Sequence, residues 1–320
     1  MSKIVSTDID LKYSLRGRKS ILDKIRQQKI LLAMCMPFVI WAVVFCYMPI
    51  WGWLMAFENY NPGKGILKSD WVGLKNFISF FSDSNFLLLM RNTVGIGFLN
   101  IAFGTITPIC LALILNEVRN LKFKKTVQTI SYLPHFISYV VVANIFLTML
   151  SPSDGLVNNL LVSLNLVKEP IPFFSIPQLF WLLVALINTW KDVGWGAIIY
   201  LASISAIDAE QYEAATVDGA GRWIKMWYIT LANIKPTIVV LLILAMPDLI
   251  NAGFDPSFLL GNPLVSEYSE VLDTYVYKMG LGQGMYSYAT AVGIFRTVIS
   301  LALIVSANKI SRRISGYSIY

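Results

Sequence analysis

The chain has 320 residues, of which 56% are hydrophobic and 14% are charged, and its formal net charge is +7. A soluble domain usually carries roughly a quarter of its residues as charged side chains, so this composition excludes an ordinary soluble enzyme and favours a multi-pass membrane protein. The positive charge is typical of contact with the anionic head groups of a lipid bilayer. Nucleic acid is not an expected partner, because no basic stripe with interleaved aromatic residues lies outside the apolar runs.

A basic segment at residues 1–29 precedes the first apolar run and contains eight Lys and Arg residues. A secretory signal has an apolar core of about 7–15 residues, and the run that follows this segment is longer. We therefore expect residues 1–29 to form a retained cytoplasmic arm.

Six apolar runs are candidates for membrane-spanning helices, each of which needs roughly 20 mostly apolar residues. We predict an all-α integral membrane protein, because lipid offers no partners to the unpaired backbone groups of an open sheet. The third run is short, and the fourth is long and interrupted by charge. The predicted spans are residues 30–57, 92–115, 134–150, 178–205, 236–254 and 286–308.

Lys and Arg residues are distributed unequally between the connecting segments. The segments on the side of the N-terminus hold 18 of them, whereas the opposite loops hold five. This excess predicts that both termini face the cytoplasm of a cell membrane. The membrane domain is then residues 30–308, with a cytoplasmic loop at 206–235 and a basic tail at 309–320.

No catalytic or metal-binding constellation is evident. The single histidine, His135, cannot build a multi-histidine metal site, and we read it as a polar residue at the cytoplasmic end of the third span. Cys35, Cys46 and Cys110 lie in apolar runs, where cysteine is usually a packing residue. No phosphate-binding G-x-x-x-x-G-K-[ST] sequence occurs. We expect no enzymatic activity, no metal and no cofactor in this chain.

The loop at residues 206–235 is a polar island between two apolar runs. Asp208 can cap a short helix there, and Gly219 can end that helix in the left-handed conformation. A second amphipathic helix is predicted at residues 223–231, leading back to the membrane. Composition alone leaves two readings open: a connector lying on the lipid surface, or a docking element for another protein.

The residue spacing in this loop favours the docking element. Glu213-Ala214-Ala215, three residues, Gly219, nine residues, Ile229, one residue and Leu231 resembles the E-A-A-x3-G-x9-I-x-L-P loop of ABC importer permeases. The proline of that pattern is Ala232 in this chain. In the family this loop is the coupling helix, which sits in a cleft of a separate ATPase subunit. The resemblance implies that the ATPase contacts are Glu213, Ala214, Ala215, Asp218, Gly219, Ile229 and Leu231.

The resemblance extends along most of the chain. It looks like the permease subunits of type I carbohydrate importers for oligosaccharides and polysaccharide fragments, on stretches at residues 56–61, 71–77, 132–138 and 274–277. This implies the six-helix type I permease fold. It also implies a second homologous permease subunit, two cytoplasmic ATPase subunits that use the ATP, and an extracytoplasmic sugar-binding protein.

Polar and aromatic residues inside the spans are candidates for a sugar pathway, because sugars are usually held by aromatic faces and hydrogen bonds. Lys191 and Asp192 point about 100° apart on a helix, so each needs another partner, and Asp248 and Arg296 are candidates by depth. An ion-pair network that only fixes packing explains these charges equally well. The candidates are Asn188, Trp190, Lys191, Asp192, Trp195, Asp248 and Arg296, with Asn144, Asn251, Tyr288 and Thr290 as weaker ones.

Two long external loops, residues 58–84 and 256–285, are candidates for docking the binding protein. Their aromatic residues include Tyr60, Trp71, Phe258, Tyr268 and Tyr275.

Three alternatives remain open at the level of sequence. The chain could be an ABC permease for a solute other than sugar, or a structural membrane anchor. It could also be a secondary transporter that uses Lys191, Asp192 and Arg296 as ion or proton sites.

Overall fold

The computed structural model describes residues 28–319, so nearly all of the predicted N-terminal arm lies outside the described residues. The chain divides after Leu54 into two units, which we describe separately. The first unit contains helix α1 (Lys29–Ala42), a π turn (Val43–Tyr47) and most of a 3-10 helix (Met48–Phe57), whose last three residues belong to the second unit. The whole helical segment Lys29–Phe57 is long and apolar enough to cross a bilayer.

The second unit contains a small two-stranded sheet and thirteen helices within the described residues. In chain order they are β1 (Glu58–Asn59), β2 (Asp70–Trp71), α2 (Lys75–Phe81), α3 (Phe86–Glu117), α4 (Leu121–Tyr132), α5 (Tyr139–Met149), α6 (Leu156–Ser163), α7 (Phe180–Ser205), α8 (Ala209–Val217), α9 (Arg222–Lys225), α10 (Leu231–Ala245), α11 (Phe254–Leu260), α12 (Ser266–Ser269), α13 (Leu272–Tyr277) and α14 (Tyr286–Ser315). Short 3-10 or π turns are found at Ile66–Lys68, Leu133–Phe136, Phe173–Ser175, Pro177–Leu179, Met226–Thr230, Met246–Leu249, Pro263–Val265 and Lys278–Gly282.

The mostly helical membrane fold is confirmed, and five helices of the described chain could each span a bilayer. The second predicted span, residues 92–115, is too short at both ends, because α3 is a 32-residue helix from Phe86 to Glu117. The sixth extends to Ser315, so part of the predicted tail is helical. The prediction of helices alone missed the sheet, in which Glu58 pairs with Trp71 and Asn59 with Asp70 in antiparallel register.

The third predicted span is not one straight helix. Residues Leu121–Phe136 and Tyr139–Met149 form a pair of helical segments bent by 105°, and a sixth span exists only if this pair counts as one. With 11 residues, α5 is about 16 Å long, roughly half the thickness of a hydrocarbon core. The prediction failed because α4, which carries three lysines, ends at a Pro134-containing 3-10 turn and cannot run straight on into α5.

The fifth span was also placed wrongly. The helix is continuous from Arg222 to Leu249, so the segment 223–231 is the first part of this span and not a separate helix. No glycine or proline between Trp223 and Lys235 interrupts it, and a π turn at Met226–Thr230 joins α9 to α10 without a break.

Among the described residues, three buried apolar clusters hold the second unit together. One joins α3, α5 and α7 through Ile96, Val142 and Val184. The second joins α2, α3 and α14, and the third joins the ends of α3 and α7 to α10. Helix α7 approaches the last turn of α4 so closely that a Cβ at Gly194 would lie 2.1 Å from the carbonyl oxygen of Ser131, so only glycine fits.

Candidate functional site

A short exposed helix, α8, lies at one end of the spans, between α7 and α9. The Asp208 side chain accepts a hydrogen bond from the Glu210 N–H at 3.0 Å and caps its N-terminus, as predicted. The helix ends before Gly219, whose φ of +77° is accessible to glycine at little cost. The Ala220 N–H closes this turn by donating to the Ala215 carbonyl at 2.8 Å.

The residues of the E-A-A-x3-G-x9-I-x-L pattern differ in their exposure. Glu213, Ala214, Asp218 and Gly219 are exposed, whereas Ala215, Ile229 and Leu231 are partly buried. Within residues 28–319, Glu213 forms no ion pair, so its carboxylate is available to a cation of another protein. The two Ala side chains leave room for a close neighbour.

Three side-chain hydrogen bonds fasten α8 to the base of the fifth span. The hydroxyls of Tyr212 and Thr230 lie 2.9 Å apart, and Thr230 is only 1% exposed. Asn233 donates to the Gln211 side chain at 2.8 Å, and Lys225 donates to the Thr216 hydroxyl at 2.6 Å. A displacement of α8 would therefore be passed directly to the helix that begins at Arg222.

A polar cavity of about 490 Å³ lies between the spans. It draws its wall from α3, α5, α7, the segment around 246–253, and α11. Its polar and aromatic lining includes Asn100, Thr107, Tyr139, Asn188, Lys191, Asp192, Trp195, Asp248, Asn251 and Asp255. Six of the predicted pathway residues thus share one cavity.

Hydrogen bonds link the elements of this wall. The Tyr139 hydroxyl donates to the Asn188 side chain at 2.9 Å, and Asn188 donates to Asn100 at 3.1 Å. Asn251 lies 3.5 Å from the Ser300 hydroxyl of α14. Such amide and hydroxyl groups can both donate and accept, which suits the hydroxyls of a sugar.

The charged residues at positions 191 and 192 have partners other than those predicted. Lys191 donates to the main-chain carbonyl of His135 at 2.6 Å, and Asp192 lies 2.8 Å from the His135 ring nitrogen Nδ1. Arg296 forms an ion pair with Asp273 and not with either of them. The expected pairing with Asp248 or Arg296 was wrong, because the bend before α5 turns His135 towards α7.

His135 also stacks on Trp195, with ring centroids 4.4 Å apart and planes tilted by 3°. Trp195 lines the cavity and is 45% exposed, so part of its ring remains accessible to a sugar. His135 is consequently more than a terminal polar residue, since it positions Lys191, Asp192 and Trp195.

The other predicted pathway residues lie outside the cavity wall. Asn144 lines a separate shallow depression, and Trp190 packs edge-to-face against Phe146 at 5.3 Å. The Tyr288 hydroxyl donates to Asp83, and Arg296 forms an ion pair with Asp273. The cavity wall also contains four residues that were missed: Asn100, Thr107, Tyr139 and Asp255. The first three are isolated polar residues within predicted apolar runs, which is a usable signal.

An acidic node lies at the end of the spans opposite α8. The Asp83 carboxylate accepts hydrogen bonds from the hydroxyls of Tyr275 and Tyr288, the latter at 2.8 Å. Burial raises the pKa of Asp83, but the hydrogen bonds from Tyr275, the Asn85 N–H and Tyr288 outweigh this effect and lower the pKa below its ordinary value. The node ties the loop before α3 to α13 and α14.

The predicted docking residues differ in their accessibility. Trp71 is 64% exposed and Phe258 45%, so both can meet another protein. Tyr275 is buried in the acidic node, which contradicts a surface role. Tyr60 and Tyr268 are partly buried, and Tyr268 lies under the Arg91 guanidinium at 4.6 Å.

Known proteins that are similar to this chain match it over nearly its whole length. Residues 108–316 match the family model described as "Binding-protein-dependent transport system inner membrane component". The chain is 46% identical over 308 residues to the polygalacturonan/rhamnogalacturonan transport system permease protein YteP of Bacillus subtilis (strain 168), covering 96% of this chain and 95% of that protein. It is 41% identical to protein LplB of the same organism over 294 residues, covering 92% of each chain.

A solved structure shows the same architecture. The chain resembles a subunit in the crystal structure of a bacterial ABC transporter involved in the import of the acidic polysaccharide alginate, with a TM-score of 0.85 and 40% identity. The match covers 92% of this chain and 99% of that subunit.

Proposed function

Since the chain belongs to the family of binding-protein-dependent transport system inner membrane components, we propose a mechanism in which α8 couples an ATPase to the polar cavity. The chain is a permease subunit of an ABC importer for polysaccharides or oligosaccharides, and it is not itself an enzyme. Family membership sets aside the structural anchor and the self-sufficient secondary transporter.

The observation that carries the proposal is the exposed helix α8 with its free carboxylate. Glu213 offers an acceptor that suits the guanidinium fork of an arginine on the ATPase. Ala214 is exposed and presents only a methyl group, so the partner can approach the helix closely. The hydrogen bonds from α8 to the base of the fifth span then turn docking into a mechanical connection.

The assembly contains, in this proposal, a second homologous permease, two ATPase subunits and an extracytoplasmic binding protein. A related alginate transporter has been solved in complex with an alginate pentasaccharide-bound periplasmic protein, which supports the last of these. The chain crosses the cell membrane with α8 and both termini in the cytoplasm, as the distribution of Lys and Arg predicts. ATP binds only to the ATPase subunits.

Transport follows from two alternating conformations. ATP-driven closure of the ATPase subunits draws the two coupling helices together and opens the cavity outward, where the binding protein releases its sugar. Hydrolysis of ATP reverses the movement and exposes the cavity to the cytoplasm. The exposed faces of Trp71 and Phe258 are the docking contacts of the binding protein.

The cavity chemistry fits an oligosaccharide fragment of a polysaccharide. Amides, hydroxyls and carboxylates along the wall can bind sugar hydroxyls, and Trp195 supplies an apolar face. The relatives import polygalacturonan or rhamnogalacturonan and alginate, so oligosaccharides that contain uronic acids are the first substrates to test. Lys191 is the one cationic residue of the wall within the described chain.

The proposal is tested by reconstituting the complete transporter in proteoliposomes with its binding protein. Uptake of trigalacturonate, an alginate trisaccharide and maltotriose is compared with ATP inside, without ATP, and with an ion gradient alone. We expect ATP-dependent uptake of at least one of the acidic sugars. Uptake driven by the ion gradient without ATP would contradict the mechanism, and uptake of maltotriose alone would contradict the substrate class.

A further inference from the structure

An ion pair joins the coupling loop to the second span. The Arg222 guanidinium donates from Nε and Nη2 to the same oxygen of Glu117, at 3.0 and 2.9 Å. Arg222 begins the helix that follows α8, whereas Glu117 is the last residue of α3. The two residues are 105 positions apart, so the pair is a tertiary connection between two spans.

Each partner occupies a helix end that is unfavourable for its charge. The C-terminus of a helix carries partial negative charge, which disfavours Glu117 at the end of α3. The N-terminus carries partial positive charge, which disfavours Arg222 in the first turn of α9. The ion pair offsets both placements at once, because each charge neutralises the other. Glu117 and Arg222 thus both go against the charge preference of their helix ends while they form one tertiary contact, and such departures are common at functional positions.

Helix α3 leads from this contact to the cavity. Thr107 lies in the cavity wall ten residues before Glu117, a distance of about 15 Å along the helix. Pro108 is also in the wall and removes one helical hydrogen bond, so the helix bends most easily there. A displacement of Glu117 is thus transmitted through one rigid helical segment to the point where bending changes the cavity.

We propose that the Arg222–Glu117 ion pair carries the movement of the coupling loop to the second span, in parallel with the direct path into the fifth span. The two residues are positioning residues of the transport cycle and touch neither ATP nor sugar. This inference rests on the proposed docking of α8 to an ATPase. It adds that docking and hydrolysis can continue when transmission to α3 is lost.

The experiment uses the complete transporter with E117Q, R222Q and the reciprocal double variant E117R/R222E. Arg119→Gln is the matched control, because Arg119 is an exposed cation two residues from Glu117 that forms no ion pair among residues 28–319. Three quantities are measured for each variant: co-purification of the ATPase, ATP hydrolysis, and uptake of trigalacturonate or alginate trisaccharide per ATP.

Movement of α3 is followed with a cysteine introduced by Thr107→Cys, after Cys35, Cys46 and Cys110 have been replaced by serine. Alkylation by a membrane-impermeant maleimide is compared between nucleotide-free transporter and transporter trapped with ATP and vanadate. This measurement requires no sugar. It distinguishes failure to move α3 from failure to bind a particular substrate.

Both single variants should retain the ATPase and most of its activity, while the nucleotide-dependent change in alkylation and the uptake per ATP fall about fivefold. The reciprocal variant should recover at least part of both, and R119Q should behave as the unmodified transporter. Unchanged alkylation and uptake in E117Q and R222Q would overturn the inference. Equal losses in R119Q, or no recovery in the reciprocal variant, would also overturn it. Failure of Glu213→Lys to release the ATPase would instead overturn the docking on which the inference rests.

Discussion

Replacing Gly194 with alanine should push α7 away from the chain at the end of α4. The added Cβ would lie 2.1 Å from the Ser131 carbonyl oxygen, whereas ordinary van der Waals contact begins at 3.4 Å. The two backbones must therefore separate by about 1.3 Å, because a carbonyl group cannot rotate out of the way as a flexible side chain can.

The separation also acts on the cavity. Lys191 and Asp192 lie within one turn of Gly194, and both bond to His135 at distances of 2.6 and 2.8 Å. Moving α7 outward by a distance of this size would stretch both bonds beyond hydrogen-bonding range. Overpacking typically costs about 1–3 kcal/mol, and we expect at least the upper value here because the clash is with backbone.

The assay is thermal unfolding of the detergent-solubilised transporter, together with ATP-dependent uptake in proteoliposomes. A loss of about 3 kcal/mol corresponds to a decrease in melting temperature of about 5 °C or more. Gly293→Ala is the matched control, since it also lies in a span and its added Cβ would meet no atom within 4 Å. An equal melting temperature for Gly194→Ala and Gly293→Ala would refute the close contact between α7 and Ser131.

Three further predictions address the coupling helix, the cavity and the acidic node. Glu213→Lys should abolish co-purification of the ATPase without lowering the melting temperature of the permease. The reason is that it reverses an exposed charge that has no ion-pair partner in residues 28–319. Retained ATPase and unchanged uptake would count against docking. Asp192→Asn should lower uptake if this carboxylate lines the route, and a loss of detergent stability at normal uptake would assign it to packing with His135. Because the pKa of Asp83 is lowered on folding from its ordinary value of 3.8, its stabilising effect is nearly complete at pH about 5 and is lost as the pH falls through 3.8 and then through the lower folded-state pKa. The difference in melting temperature between the unmodified protein and Asp83→Asn should therefore shrink between pH 5 and about 3, and a constant difference would argue against this node.

Helix α8 could be predicted from sequence because its signals are local. Asp208 caps the helix and Gly219 ends it, and both roles follow from the residue type and its place in the chain. The spacing of Glu213 and Gly219 identified the family, which the comparisons confirm. The roles of the individual coupling residues stay predictions.

The cavity and the bend before α5 were harder to predict from sequence than α8. Lys191 and Asp192 were recognised as charges that need partners, but the partner, His135, depends on the 105° bend between two helical segments. That bend is a tertiary feature, and the apolar pattern of the third run is compatible with a straight helix. Tyr139, the first residue of α5 after this bend, lines the cavity wall; its polarity within an apolar run was a signal, but its place in the wall was not predictable.

Span boundaries were placed by apolar content, which marks the part of a helix in lipid and not the whole helix. The fifth span begins at Arg222, well before the apolar run, because its first turns form the base to which α8 is fastened. Helices α3 and α14 likewise continue past their apolar runs into polar residues such as Glu117.

Site-specific crosslinking can show whether an ATPase subunit holds α8. A photoreactive amino acid replaces Ala214 in the complete transporter, and the control replaces Leu67, which is 86% exposed in the loop at the opposite end of the spans. Illumination should join the subunit labelled at position 214 to the ATPase, with a yield that changes on trapping with ATP and vanadate, and position 67 should not capture the ATPase. Capture of phospholipid alone at position 214 would mean that α8 lies on the lipid surface and is not held by an ATPase.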